Sequence, residues 1–380
     1  MANKDLNKAK NNKQDEWYTQ LVDIENELRH YKAHFKGKTV LCNCDDPYES
    51  NFFKYFAMNF NVLGLKKLIC TCYAESPIIY TQLSIFGDGE EYGRESKGTP
   101  YVIQITKVED YNGDGAIDLQ DVEYLLKTKE GRPKKLKGNG DFKSAECIEY
   151  LKEADIVVTN PPFSSFRPYM AQLLEYKKSF ILMCRMSVLH YKEIFPHIQN
   201  NEIWTGYGFN LSVVYKTPYT NTEEANRKFV RGKGYNPDEG YVKVPAICWI
   251  TNLEIQKRHE PIILYKKYSA AEYPQYINFD AIDVSRISDI PIDYYGMMGV
   301  PDTFLNVYNP EEFTIIGLAE SDLGKSIGMS ANLSELEKKE LFNENKSFRA
   351  GNPIYRGSDG KLYKPFSRII IRRKENGNQT

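Results

Sequence analysis

The chain has 380 residues, 41% of them hydrophobic and 27% charged, with a net charge of −1 and a mean hydropathy of −0.54. That length allows two domains and a sizeable core, and that composition excludes a chain disordered throughout. A charge this close to zero also excludes nucleic-acid binding by general basicity, so any such contact must come from local patches.

Residues 1–14 are polar and lysine-rich and are expected to form a flexible basic arm. Helical spacing follows, with Ile24, Leu28, Tyr31 and Phe35 at steps of four, three and four, until Gly37 stops it. "KTVLCNCDDP" reads as a strand ending in a polar turn, and "ESNFFKYFAMNFNVLG" as the crossover helix closed by Gly64. "KKLICTCYAES" reads as a second strand. An insertion is expected over about 76–137, with strand-like runs at 78–86 and 101–108. "GNGDFKS" is a turn with a short strand edge, "AECIEYLKEA" a helix and "DIVVTNPPF" a strand. "RPYMAQLLEYKK" is the next helix and "SFILMCRMS" the next strand. "EIWTGYGFNLSVVYKTP" and "VKVPAICWITNLE" read as the antiparallel pair that closes a mixed sheet.

Strands and helices alternating at these lengths predict an α/β, doubly wound, Rossmann-like sheet over 15–255. Beyond it the texture changes to prolines, tyrosines and short irregular apolar runs. That predicts a smaller α+β region over 256–380.

Seven cysteines lie mostly in apolar runs, no signal-like stretch opens the sequence, and no apolar run approaches the ~18 residues of a membrane span. A reduced, cytoplasmic protein is expected. The pairs Cys42-x-Cys44 and Cys70-x-Cys72 have the spacing of one strand face, which argues against zinc. Two basic runs stand out. Lys127–Lys143 holds seven Lys or Arg, including Lys134, Lys135 and Lys137, and 361–380 holds six, including Arg372 and Arg373. Each is either a solvated loop or a phosphate-binding patch.

"DYNGDGAIDLQD" (110–121) places Asp110, Asn112, Asp114, Asp118 and Asp121 at the oxygen-ligand positions of a calcium loop, with Gly115 at its turn. Position twelve is Asp where Glu is usual. The alternative is an acidic turn without metal.

In "ADIVVTNPPFSSFRPYM" (154–170), an apolar, β-branched strand ends on Asn160-Pro161-Pro162-Phe163. Two prolines remove backbone donors and stop the ladder abruptly, leaving a rigid turn at the strand's carboxyl end. Open α/β sheets bind ligands at that end.

The ordered set "DEWYTQ", "VLCNCDDP", "GDFKS" and "TNPPFS", with "YYGMMGVPDTFLNVYNPEEF" later, resembles the adenine-specific EcoRI-type DNA methyltransferases over nearly the whole chain. The resemblance implies S-adenosylmethionine as cofactor, double-stranded DNA as partner, a monomer in action, and target recognition in 256–380. It implies that Asn160, Pro161, Pro162 and Phe163 act on an extruded base. Asn160 and the Pro161 carbonyl would accept from its amine, and Phe163 would stack on it. Trp17, Tyr18, Thr19, Asn43, Asp45, Asp46, Glu75, Asp141 and Phe142 would hold the cofactor. The glycine that usually follows the first strand is missing from Cys42-Asn43-Cys44-Asp45-Asp46-Pro47. The alternatives are a cytosine-N4, RNA or protein-glutamine methyltransferase, or a catalytically silent DNA-binding relative.

Overall fold

The computed structural model describes residues 18–44, 50–73, 100–128, 131–217, 221–329, 333–343 and 351–375. They divide into two compact units. The first takes its described residues from Met1–Met186 and Thr205–Leu253, the second from Ser187–Trp204 and Glu254–Thr380.

The first unit is built on a ten-stranded sheet among the described residues. Its strands are β1 (Tyr18–Thr19), β2 (Thr39–Cys42), β3 (Lys67–Thr71), β4 (Tyr101–Ile105), β5 (Lys134–Lys135), β6 (Ile156–Thr159), β7 (Ser179–Arg185), β8 (Trp204–Thr205), β9 (Leu211–Lys216) and β10 (Tyr241–Thr251). Their order is β1-β9-β10-β7-β6-β2-β3-β4-β5, with β8 on β10. β3, β2, β6 and β7 run parallel, while β10 is antiparallel to both β7 and β9. This is the doubly wound, Rossmann-like sheet with its closing antiparallel pair.

The central strands have little room for polar side chains. β2 and β6 are buried at every position, as strands covered on both faces must be. Between them the crossover helices start on side-chain caps. Ser50 accepts from the Phe53 amide, and Ser144 from the Cys147 amide. Gly64 closes the first crossover at φ +62°, the left-handed value a helix end asks for. The expected insertion contributes β4 and β5, which extend the sheet antiparallel from β3. The run at 78–86 lies outside the described residues.

The second unit holds β11 (Ile282–Asp283), β12 (Met297–Pro301), β13 (Phe313–Ala319), β14 (Tyr355–Arg356), β15 (Leu362–Tyr363) and β16 (Arg368–Arg373). β11, β12, β16 and β13 form a mixed sheet in that order, and β14 pairs with β15. Inside it Arg368 Nε meets Asp283 Oδ1 at 3.0 Å, and the Tyr276 hydroxyl donates to the same oxygen at 2.6 Å. Burying that carboxylate is tolerable because it is paired and hydrogen-bonded.

Residues 187–204 belong to this unit and not to the sheet unit in which the sequence pattern put them. Their polar side chains explain why. Gln199 Nε2 donates to the Ile316 carbonyl at 2.8 Å, and His190 lies 2.9 Å from Glu320 and 3.4 Å from Asp302. Burial alone would lower the His190 pKa, but hydrogen bonds to Asp302 and Glu320 outweigh it and raise it to about 9.

Candidate functional site

β2 and β6 are neighbours, and the chain leaves them in opposite directions, β2 towards β3 and β6 towards β7. A parallel sheet opens a crevice where its order reverses in this way, outside the carboxyl ends of the two strands. Asn43 follows β2 there and Asn160 follows β6, each buried, at 8% and 6% exposure. Pro161 is buried too, whereas Phe163 is half-buried at the start of a short 3-10 turn. Arg185, the last residue of β7, holds its guanidinium 5.7 Å from the Phe163 ring centre.

The turn with Asp141 and Phe142 reaches the same end of the sheet through Gly140. A Cβ on Gly140 would stand 2.0 Å from the Cys72 carbonyl oxygen, and its φ is +76°. Only glycine lets this turn lie against the residue just past β3. Phe142 then meets Tyr169 edge-on, with ring centres 5.1 Å apart, and its carbonyl accepts from Gln172 Nε2 at 3.1 Å. Tyr169 is fully buried on the helix Phe166–Glu175, and its hydroxyl donates to Asn43 Oδ1 at 2.5 Å. Asp141 accepts from the Lys143 amide at 2.8 Å.

Thr19 is also drawn to this end. β1 pairs with β9 through Tyr18–Lys216 and Thr19–Tyr215, and the Thr19 carbonyl accepts from Asn51 Nδ2 at 2.7 Å. Asn51 opens the helix that follows β2. The fold therefore gathers Thr19, Asn43, Asp141, Phe142 and Asn160 through Phe163 around one sheet end. Trp17, Asp45, Asp46 and Glu75 lie outside the described residues.

The basic candidates are placed elsewhere. Lys134 and Lys135 are exposed on β5, at the edge of the sheet, and Lys137 is exposed just after it. Arg372 is exposed on β16 of the second unit, while Arg373 donates to the Ile292 carbonyl at 2.5 Å.

The calcium expectation is corrected. Asp110 accepts from the Gly113 and Gly115 amides at 2.6 and 2.7 Å, Asn112 from Asp114 at 2.9 Å, and Asp114 from Ala116 at 2.9 Å. Asp118 caps the helix Leu119–Lys127 and forms a capping box with Asp121. Asp121 is buried, and the amides of Asp118, Tyr111 and Asn112 hold its carboxyl below its usual pKa. The loop's polar side chains serve its own backbone. No group of three or more His, Cys, Asp or Glu suited to a metal occurs among the described residues.

No motif in the sequence points to Tyr169, Asn51 or Arg185. Arg185 left a faint signal, as the charged residue that ends the apolar run "SFILMC". Tyr169 left none, because a tyrosine on the inner face of a crossover helix reads as core.

A Rossmann-like sheet with an Asn-Pro-Pro-Phe turn at its switch point defines the class of the amino-methyltransferases. Comparison with known proteins narrows it. Residues 5–374 match the family described as "Adenine-specific methyltransferase EcoRI". The chain is 41% identical over 341 residues to the Type II methyltransferase M.EcoRI of Escherichia coli, covering 85% of this chain and 92% of that one. It is 36% identical over 319 residues to the Type II methyltransferase M.MpnI of Mycoplasma pneumoniae, covering 82% and 84%. To M.MgeORF184P of Mycoplasma genitalium it is 35% identical over 316 residues, covering 82% and 85%. The chain belongs to the adenine-specific EcoRI methyltransferase family, and it is a site-specific DNA methyltransferase. No solved structure matches it. No described helix is long and apolar enough to cross a membrane.

Proposed function

We propose that the enzyme transfers a methyl group from S-adenosylmethionine to the N6 amine of an adenine in a specific DNA sequence, with that base rotated out of the duplex. The observation that carries this is the placement of Asn160-Pro161-Pro162-Phe163 beside Asn43 at the switch point. An exocyclic amine is a poor nucleophile because its lone pair is delocalised into the ring. Asn160 Oδ1 and the Pro161 carbonyl accept its two hydrogens and let it pyramidalise. The two prolines hold those acceptors in place before the base arrives, which is where electrostatic catalysis gains most. Phe163 stacks on the extruded base, and Arg185 keeps the ring in position.

The crevice fits the cofactor. It has a buried amide at the end of β2 and a turn that only glycine can bring against the end of β3. Asn43, Asp141, Phe142 and Thr19 would hold it, together with Trp17, Tyr18, Asp45, Asp46 and Glu75. Bound there, it supplies an electrophilic methyl on a sulfonium. Lys134, Lys135, Lys137 and Arg372 would contact phosphates, and residues 256–380 would read the target. The enzyme would act as a monomer on double-stranded DNA in the cytoplasm.

Incubation with tritiated-methyl cofactor and unmethylated genomic DNA, followed by mapping of the modified base, tests this reading. N6-methyladenine at one sequence is expected. N4-methylcytosine, label in RNA or protein instead, or no label at all would overturn it.

A further inference from the structure

Tyr169 stands where three distant parts of the sequence meet. It lies on the helix that leaves the Asn-Pro-Pro-Phe turn, and it is buried completely. Its hydroxyl crosses 126 positions of chain to reach Asn43 Oδ1. Its ring receives the edge of Phe142, and Gln172, one turn further along the same helix, holds the Phe142 carbonyl. Core packing accounts for the burial of this ring. It does not account for where the hydroxyl goes, since a phenylalanine would fill the same space.

The hydrogen bond has a chemical consequence for Asn43. A side-chain amide presents an acceptor at one end and two donors at the other, and a half-turn exchanges them. With Oδ1 taken by Tyr169, and the Cys44 thiol 3.7 Å from the same oxygen, the Nδ2 donors are the end left for a ligand. Burial pushes the phenol pKa well above its usual value, so the hydroxyl remains a donor throughout the working range.

We propose that Tyr169 is a positioning residue: its hydroxyl orients the Asn43 amide to donate to the carboxylate of the cofactor's methionine part, and its ring holds the Phe142 turn against the same crevice. The inference rests on reading that crevice as the S-adenosylmethionine site. It explains how the chain works without the usual glycine after β2. A buried, oriented side-chain amide takes over from a bare backbone.

Calorimetric titration of Tyr169→Phe with S-adenosylmethionine tests this without any turnover. The substitution keeps the ring and removes one oxygen. Losing one orienting hydrogen bond should weaken cofactor binding on the order of tenfold. Affinity for DNA should stay within about twofold, and KM for the cofactor should rise more than kcat falls. In a double-mutant cycle with Asn43→Ala, the double variant should bind no worse than Asn43→Ala alone, because one residue acts through the other. Asn43→Asp, which keeps an acceptor for Tyr169 but has no N–H, should bind the cofactor at least as weakly as Tyr169→Phe. Unchanged cofactor affinity in Tyr169→Phe with a lowered Tm, additive losses in the cycle, or normal binding by Asn43→Asp would each overturn the proposal. A wild-type chain that binds no S-adenosylmethionine would overturn the reading of the crevice together with it.

Discussion

Two short stretches of this chain, Asn160–Phe163 and Asp110–Asp121, both have the look of a site, and the fold treats them differently. The first follows a fully buried strand at the point where the sheet order reverses, with β2 beside that strand and Arg185 of β7 over the Phe163 ring. The second lies between β4 and the start of the helix Leu119–Lys127, and its side chains are bonded to their own segment's amides within ten positions of chain. Residue types suited to a chemistry are common. What distinguishes the turn is long-range convergence, whereas the loop's hydrogen bonds are those of an acidic, capped turn.

The sharpest way to break this contrast is Asn160→Ala. Removing an acceptor used in the transition state should cut methyl transfer by on the order of 10²-fold or more, with cofactor binding and Tm near wild type. Turnover within tenfold of wild type would place the chemistry elsewhere. Phe163→Ala should weaken the flipped state by ~1–3 kcal/mol, the usual worth of base–aromatic stacking. A 2-aminopurine at the target position reports it, and an unchanged signal at an unchanged rate would make Phe163 ordinary packing.

The loop should respond in the opposite sense. Asp118→Ala removes a helix cap and should cost about 1 kcal/mol of stability in denaturant unfolding, with methyl transfer unchanged. Calcium or a chelator should move the Tm of neither protein, and a calcium-dependent rise would restore the metal reading.

A further effect concerns His190, another polar residue taken up by its own unit. Its pKa is raised in the fold, so its contribution is fully present below about 6.5 and is lost as pH rises through about 9. Wild-type Tm should therefore fall between those values by more than the Tm of His190→Gln. Parallel curves would mean that Asp302 and Glu320 do not hold the charged form.

The order of strands and helices around the site was legible because buried parallel strands leave a plain mark. "TVLC", "LICT" and "IVVT" are continuous apolar or β-branched runs, and each gives way within a few positions to a segment with acidic residues or prolines. The Asn-Pro-Pro-Phe turn was legible for the same reason, since prolines state where a ladder stops. The grouping of 187–204 was not. "VLHYKEIFPHIQN" carries no mark of its unit, because its partners Asp302, Ile316 and Glu320 lie more than a hundred positions away.

By itself, then, the sequence determined the periodicities, the caps, the strand ends and the family, all of which depend on neighbours along the chain or on ordered motifs. Only the tertiary structure decided which polar atoms are consumed by the fold and which converge. It turned the Asp110–Asp121 carboxylates onto local amides, set Gly140 against the Cys72 carbonyl, and brought Tyr169 to Asn43 across 126 positions. Hydrogen bonds of that reach have no signature in residue order, because their geometry exists only once the sheet has brought both ends together.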